Sequence, residues 1–309
     1  MADLSTRREQ VCDLVAHHLG IDLGRYPSSS IDRLLSLLPD SWADGDAKLL
    51  RTVELCCAIG ETVFLRHPQH FAVLPRLLPS LQVSPPRPLR AWSAGCSTGE
   101  EAYSLAAVLS QSAVHGATVL ASDVRAEAIV KARLGRYGQW SLRGAASPSY
   151  ASWLTVEGDH VEVQPFLRSL VDFRAHNLMH DPYPRELDII FCRNVLLYFV
   201  DHAAQEVFAR FATSLRPGGL LFIGDSDPTP PLDSVWAAES VDDVVYYRRL
   251  PDRPDPPDPP DPPDPPARPA PASAAAAPAL SAEQRLADQL IEARKLIDRQ
   301  KFGEGLELL

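Results

Sequence analysis

Apolar and polar positions change their rhythm along the chain, and each rhythm predicts a different kind of element. Over residues 1–75 the apolar residues recur at helical spacing: Leu14, Val15 and Leu19, then Ile31, Leu34, Leu35 and Leu38. Leu49 to Ile59 is a third helical stretch, and Pro27 and Pro39-Asp40 interrupt the series. Pro79 to Pro88 reads as a connector. From Leu89 onward strands and helices alternate. The strands expected are Leu89–Ser93, Thr118–Ser122, Val171–Ala175, Leu187–Cys192, Leu220–Gly224 and Val244–Arg248. The helices expected are Glu100–Gln111, Ala126–Leu134 and His202–Ser214. Leu187–Cys192 is almost wholly apolar, as a central parallel strand covered on both faces should be. Between Arg136 and Leu170 the alternation fails, and Asp159 to Val163 suggests a small antiparallel insertion.

This pattern predicts an α/β fold: a mostly parallel sheet with helices on both faces, a small all-helical domain before it and a small antiparallel β insertion within it. The boundaries expected are 1–75 for the helical domain and 76–250 for the sheet domain. Residues 251–278 form a Pro-rich linker containing DPPDPPDPPDPP, which favours polyproline II and would reach roughly 85 Å at about 3.1 Å per residue. A helical pattern returns in 279–309 with Leu286, Leu290, Ala293, Leu296 and Ile297. A single helix cannot bury its own apolar face, so this tail reads as the start of a helical-hairpin repeat, cut short by truncation.

Composition narrows the picture. The chain has 309 residues, 45% of them hydrophobic, and a formal charge of -10, which argues against tracking nucleic-acid phosphates. Its five cysteines form no CxxC pair and read as reduced thiols of a cytoplasmic protein rather than metal ligands. No apolar run is long enough to span a bilayer.

The candidate chemistry sits where the first strand gives way to a helix. Gly95-Cys96-Ser97-Thr98-Gly99 is a glycine-rich turn before Glu100, which lets backbone approach a ligand at the positive end of a helix dipole. That arrangement holds nucleoside cofactors in Rossmann-type sheets, although the GxGxxG dinucleotide fingerprint is absent. The next strand ends at Asp123, whose carboxylate can hold both hydroxyls of a ribose or cap the following helix. Ser97-x-x-Glu100 and Thr98-x-x-Glu101 each satisfy the capping-box spacing.

WSAGCSTGEEAYSLA, ASDVRAEAI, FCRNVLLYF and LRPGGLLFIGDS, in that order, resemble the CheR family of S-adenosylmethionine-dependent methyltransferases that act on chemoreceptor glutamates. GETVFLRHPQHF, upstream, resembles the family's threonine-aromatic-arginine segment. The resemblance covers about residues 10–250. The linker and tail resemble the subgroup fused to tetratricopeptide repeats. Leu65 stands where a second aromatic is usual, Gly60 where asparagine is common, and Asp225-Ser226-Asp227 replaces His-Ser-Glu. The Arg136–Leu170 insertion looks closer to members that do not dock on a receptor-tail pentapeptide.

The resemblance implies S-adenosylmethionine as cofactor and no metal. It assigns Arg66 and Tyr198 to the methyl transfer. It assigns Thr62, Arg66, Gly95, Glu101, Asp123, Asn177, Leu178, Arg193 and Asn194 to cofactor binding. Pro217-Gly218-Gly219 reads as a turn before the fifth strand. Arg7, Arg8, Arg25, Arg33 and Arg51 in the N-terminal helices would help present an acidic receptor helix. The expected partners are a chemoreceptor-like coiled-coil substrate and a protein partner for the repeat tail, with no nucleic acid and no membrane insertion. The competing readings are a non-catalytic scaffold that binds the cofactor and acts through its repeats, and a small-molecule methyltransferase.

Overall fold

The computed structural model describes residues 4–251, except 27, 40–45, 58–59, 82–86, 113–115, 144–151 and 234. The linker and the repeat-like tail expected from sequence lie outside the described residues, apart from Pro251. Residues 1–254 form one compact unit.

The chain opens with α1 (Leu4–Leu19), α2 (Ser28–Leu37) and α3 (Ala47–Cys57), followed by two short helices, α4 (Pro68–Ala72) and α5 (Leu74–Leu77). Then come β1 (Leu89–Ala94), α6 (Glu100–Gln111), β2 (Ala117–Asp123) and α7 (Ala126–Leu134). The stretch where the alternation fails holds β3 (Arg136–Gly138), β4 (Leu154–Glu157), β5 (His160–Val163) and the one-turn α8 (Pro165–Arg168). The core resumes with β6 (Val171–Ala175), β7 (Leu187–Cys192), α9 (Asp201–Ser214), β8 (Leu215–Ile223), β9 (Trp236–Val241) and β10 (Val244–Arg249).

The large sheet has seven strands in the order β6-β2-β1-β7-β8-β10-β9. The first five run parallel, and β10 and β9 close the edge antiparallel. The expected insertion is a separate antiparallel sheet ordered β3-β5-β4. Strand alternation divides the core in two. Ala91, Ile189, Phe191, Leu220 and Phe222 face a layer that includes α5, α6, α7 and the insertion. Trp92, Ala94, Ile190, Cys192, Leu221 and Ile223 face α1, α2, α3 and α9. The N-terminal helices therefore share a core with the sheet and form a wall over one of its faces.

Two local expectations change. Pro217-Gly218-Gly219 lies within β8 as a bulge: Leu187 pairs with Leu215 and Ile189 already with Leu220, so the intervening residues loop out of register. Neither capping box forms. The N-cap of α6 is Gly99, in a left-handed conformation with no side-chain cap. Thr98 Oγ1 instead donates to the Glu100 side chain at 2.6 Å, and Ser141 Oγ donates to it at 2.9 Å, which ties the insertion to the start of α6.

Candidate active site

In the strand order, β1 leads on to β2 and β6 on one side, while β7 and β8 lie on the other. The crevice outside the carboxyl ends of β1 and β7 is therefore the topological switch point where open α/β sheets bind ligands. A cleft opens there. Its lining includes all ten of the sequence-chosen residues: Thr62, Arg66, Gly95, Glu101, Asp123, Asn177, Leu178, Arg193, Asn194 and Tyr198. They come from five separate stretches of sequence.

The inner wall is a buried polar network. Glu101, in the first turn of α6, accepts from Ser93 Oγ at 2.8 Å and from Arg193 Nε at 2.8 Å. The two side chains of this ion pair are 9% and 1% exposed, so neither is free to reorient into water. Arg193 also donates from Nη1 to the carbonyl of Arg66 at 2.7 Å, which fixes the Arg66 backbone. His70 stands 3.4 Å from the same guanidinium nitrogen, and burial, aided by Arg193, pushes its imidazole pKa down to about 4.

The segment after β7 is held by a residue that sequence reading left without a role. Asp227 is buried, and its carboxylate accepts from four backbone N–H groups: those of Asn194, Val195, Leu197 and Gly224. Burial pushes its pKa up, against the pull of those donors. The network holds Asn194 at a φ of +59° and presents the turn that carries Tyr198. The only sequence signal was its place in the loop where Asp225-Ser226-Asp227 departs from the family pattern.

The end of the cleft expected to hold the nucleoside differs from expectation in detail. Asp123 takes the backbone N–H of Ser97 on Oδ2 at 2.8 Å, and the N–H and Nε of Arg125 on Oδ1 at 2.9 and 3.3 Å. A carboxylate offers about four acceptor positions, so three are already engaged and one is left for a ribose hydroxyl. Arg125 continues to Ser97 Oγ at 3.1 Å and lies flat against Gly60, where an added Cβ would fall 2.0 Å from its Nη1. Asn177 also has protein partners. Its Nδ2 donates to the His18 carbonyl at 2.9 Å and its Oδ1 accepts from Met179 N–H at 2.8 Å, so it ties α1 to the loop after β6. Leu178 is buried on the same wall.

The outer wall is the Thr62–His67 segment. Arg66 is half-buried and its Nη1 donates to the Glu61 carbonyl at 3.0 Å. Leu65 and His67, on either side of it, have φ of +52° and +56°. Across the cleft Tyr198 packs on Tyr26, with ring centroids 5.2 Å apart.

These residues fit a nucleoside sulfonium. Gly95, at φ +78°, has no space for a side chain: a Cβ would lie 2.4 Å from Val195 Cγ2, so only bare backbone can line this point. Asn194 Oδ1 and Arg193 Nη2 are buried without a hydrogen-bond partner in the protein, which leaves an acceptor and a donor for the amino-acid end of a ligand.

Comparison with known proteins gives the class. The family described as CheR methyltransferase, SAM binding domain, matches residues 60–241. The chain is a methyltransferase that uses S-adenosylmethionine. A chemotaxis protein methyltransferase of Listeria innocua is 32% identical over 227 residues, covering 69% of this chain and 87% of that one. The chemotaxis protein methyltransferase of Escherichia coli K12 is 40% identical over 147 residues, 45% of this chain and 51% of that one. Chemotaxis protein methyltransferase 1 of Pseudomonas aeruginosa is 34% identical over 180 residues, 54% of this chain and 65% of that one. The chain belongs to the CheR family. Among the described residues, no helix is long and apolar enough to cross a membrane.

Proposed function

We propose that this chain methylates glutamate side chains of a chemoreceptor-like coiled-coil protein in the cytoplasm. The observation that carries the reading is Arg66, a guanidinium on the cleft wall facing the same space as Asn194 and Tyr198. A guanidinium fork suits two-point capture of a carboxylate. S-adenosylmethionine supplies a methyl group on a positively charged sulfur. The acceptor carboxylate, with an ordinary pKa near 4.3, is already ionised at neutral pH and needs no general base. A carboxylate oxygen forms the new bond to the methyl carbon, the carbon–sulfur bond breaks with its electron pair on sulfur, and no proton moves.

The chain's own contribution is placement. Arg66 orients the acceptor oxygen, Tyr198 and Asn194 border the path of transfer, and the Thr62 segment closes one side. Asp123, Gly95, Asn177 and Leu178 surround the nucleoside, while Glu101 and Arg193 secure the inner wall. Near-attack alignment of this kind accounts for much of the acceleration in such reactions. Loss of one negative charge on the acceptor would then shift a helical receptor's equilibrium.

The test is methyl transfer from labelled S-adenosylmethionine to soluble receptor fragments, read as base-labile methyl ester. Wild-type protein is expected to label them. Arg66→Ala is expected to lose at least a hundredfold in kcat/KM while still binding S-adenosylhomocysteine. Binding without methyl ester on any fragment would sink the reading.

A further inference from the structure

A second concavity lies against the first, and the two share Glu61, Thr62 and Arg66 as a common wall. Its remaining lining is Val63, His67, Pro68 and Arg143. Arg66 thus stands between the cofactor cleft and an outer basin that has no role so far.

Arg143 is placed in this basin with care. Its guanidinium lies flat over the Trp140 ring, 3.7 Å from the centroid. Trp140 is itself 69% exposed, so the stack stands at the surface. Stacking on an aromatic face orients a guanidinium and leaves its edge free to bind. The group at that edge is the Glu61 side chain, which accepts from Arg143 Nη2. Glu61 is 64% exposed, and an exposed ion pair contributes little to stability. Exchanging that carboxylate for another therefore costs little. The same residue also receives Arg66 through its backbone carbonyl. The two guanidiniums accordingly stand no further apart than a single glutamate bridges. His67, the other charge-capable group of the basin, is turned to Asp225 at 3.4 Å.

Two forks at that spacing suit two carboxylates on one ligand. On a helix, side chains that face the same way are three or four residues apart. We infer that Arg143, oriented by Trp140, is a second carboxylate site that recognises an acidic residue one helical turn from the acceptor glutamate, displacing Glu61 as it binds. This rests on the proposed methylation of a helical acidic substrate, and adds that substrate choice is set outside the cofactor cleft.

The experiment uses the full chain and two helical receptor fragments. One has a single acceptor glutamate. The other has a second glutamate four residues away, with glutamine there in the first. KM and kcat are measured on both, and binding of both is measured by calorimetry with S-adenosylhomocysteine present. The second acid is expected to lower KM and Kd about three- to fivefold in the wild type. Arg143→Gln is expected to bring the ratio between fragments to one, and Arg143→Lys to keep part of it. A ratio of one in the wild type, or an unchanged ratio in Arg143→Gln, overturns the inference. Acid-dependent binding that Arg143→Gln abolishes, with no methyl ester formed, would uphold this site and reject the proposed reaction instead.

Discussion

On the inner wall of the cleft, Arg193 is held by the Glu101 carboxylate, the Arg66 carbonyl and the faces of Phe71 and Phe191. On the outer wall, Arg66 is half-buried and its guanidinium donates to one backbone carbonyl. Both are arginines at one site, yet their surroundings suit them to different work. A buried guanidinium tied through Nε to a carboxylate and through Nη1 to a backbone carbonyl is a fixture. One that is half-buried on the cleft wall and tied to a single backbone carbonyl is available to a ligand. The cleft thus pairs a rigid floor with an accessible rim, and the chemistry needs both: a fixed cofactor and an admitted substrate.

The largest effect should come from breaking the floor. Arg193→Met leaves the Glu101 carboxylate buried without its partner, and is expected to lower stability by about 3–5 kcal/mol in urea unfolding. Adding Glu101→Gln should recover part of that loss, since the stranded charge is removed. If Arg193→Met unfolds like the wild type, the inner wall is not the fixture described.

A smaller effect should come from His70, which packs against that floor beside Arg193 and near Asp225. Its native pKa is lowered to about 4, whereas an unfolded histidine takes a proton below about 6.5. Between those values the unfolded chain binds more protons than the native one, so stability falls as pH drops from about 6.5 to about 4. His70→Leu should flatten this part of the Tm-against-pH curve. A curve with an unaltered slope would mean that other groups set the acid response.

The smallest effect is expected at the nucleoside edge. Arg125→Ala frees an acceptor position on Asp123 but removes the bridge between Asp123, Ser97 and the backbone at Gly60. Weaker binding of S-adenosylhomocysteine, by about three- to tenfold in calorimetry, would mean that the bridge orders the pocket. Tighter binding would mean that Arg125 competes with the ribose for Asp123.

Much of this was legible in the sequence because the signals were periodic or covalently local. Val171–Ala175, Leu187–Cys192, Glu100–Gln111 and Ala126–Leu134 have the boundaries expected. β9 escaped notice because Trp236–Val241 alternates on an edge strand whose partner, β10, arrives only after it. The ten chosen residues meet in one cleft, since motifs at strand ends converge wherever parallel strands end together. Asp227 and Arg125 were not legible as site residues. Each acts by hydrogen bonds to backbone or to residues distant in sequence, and no spacing rule announces that. Asp123 and Asn177 looked free in part for the same reason: Ser97, which donates to Asp123, and His18, which accepts from Asn177, belong to other segments.

Leu65, His67, Ser97 and Asn194 all hold left-handed backbone around the cleft. Asparagine tolerates that region, but a histidine or serine there costs on the order of 1 kcal/mol or more. An engineer selecting this enzyme for heat resistance alone would thus be drawn first to positions 67 and 97, where glycine relieves the backbone. The same replacements would loosen the residue next to Arg66 and the loop that meets Asp123. Thermal hardening and turnover would pull on the same few torsion angles, and a screen that scores only survival would favour sequences that endure heat and have stopped working.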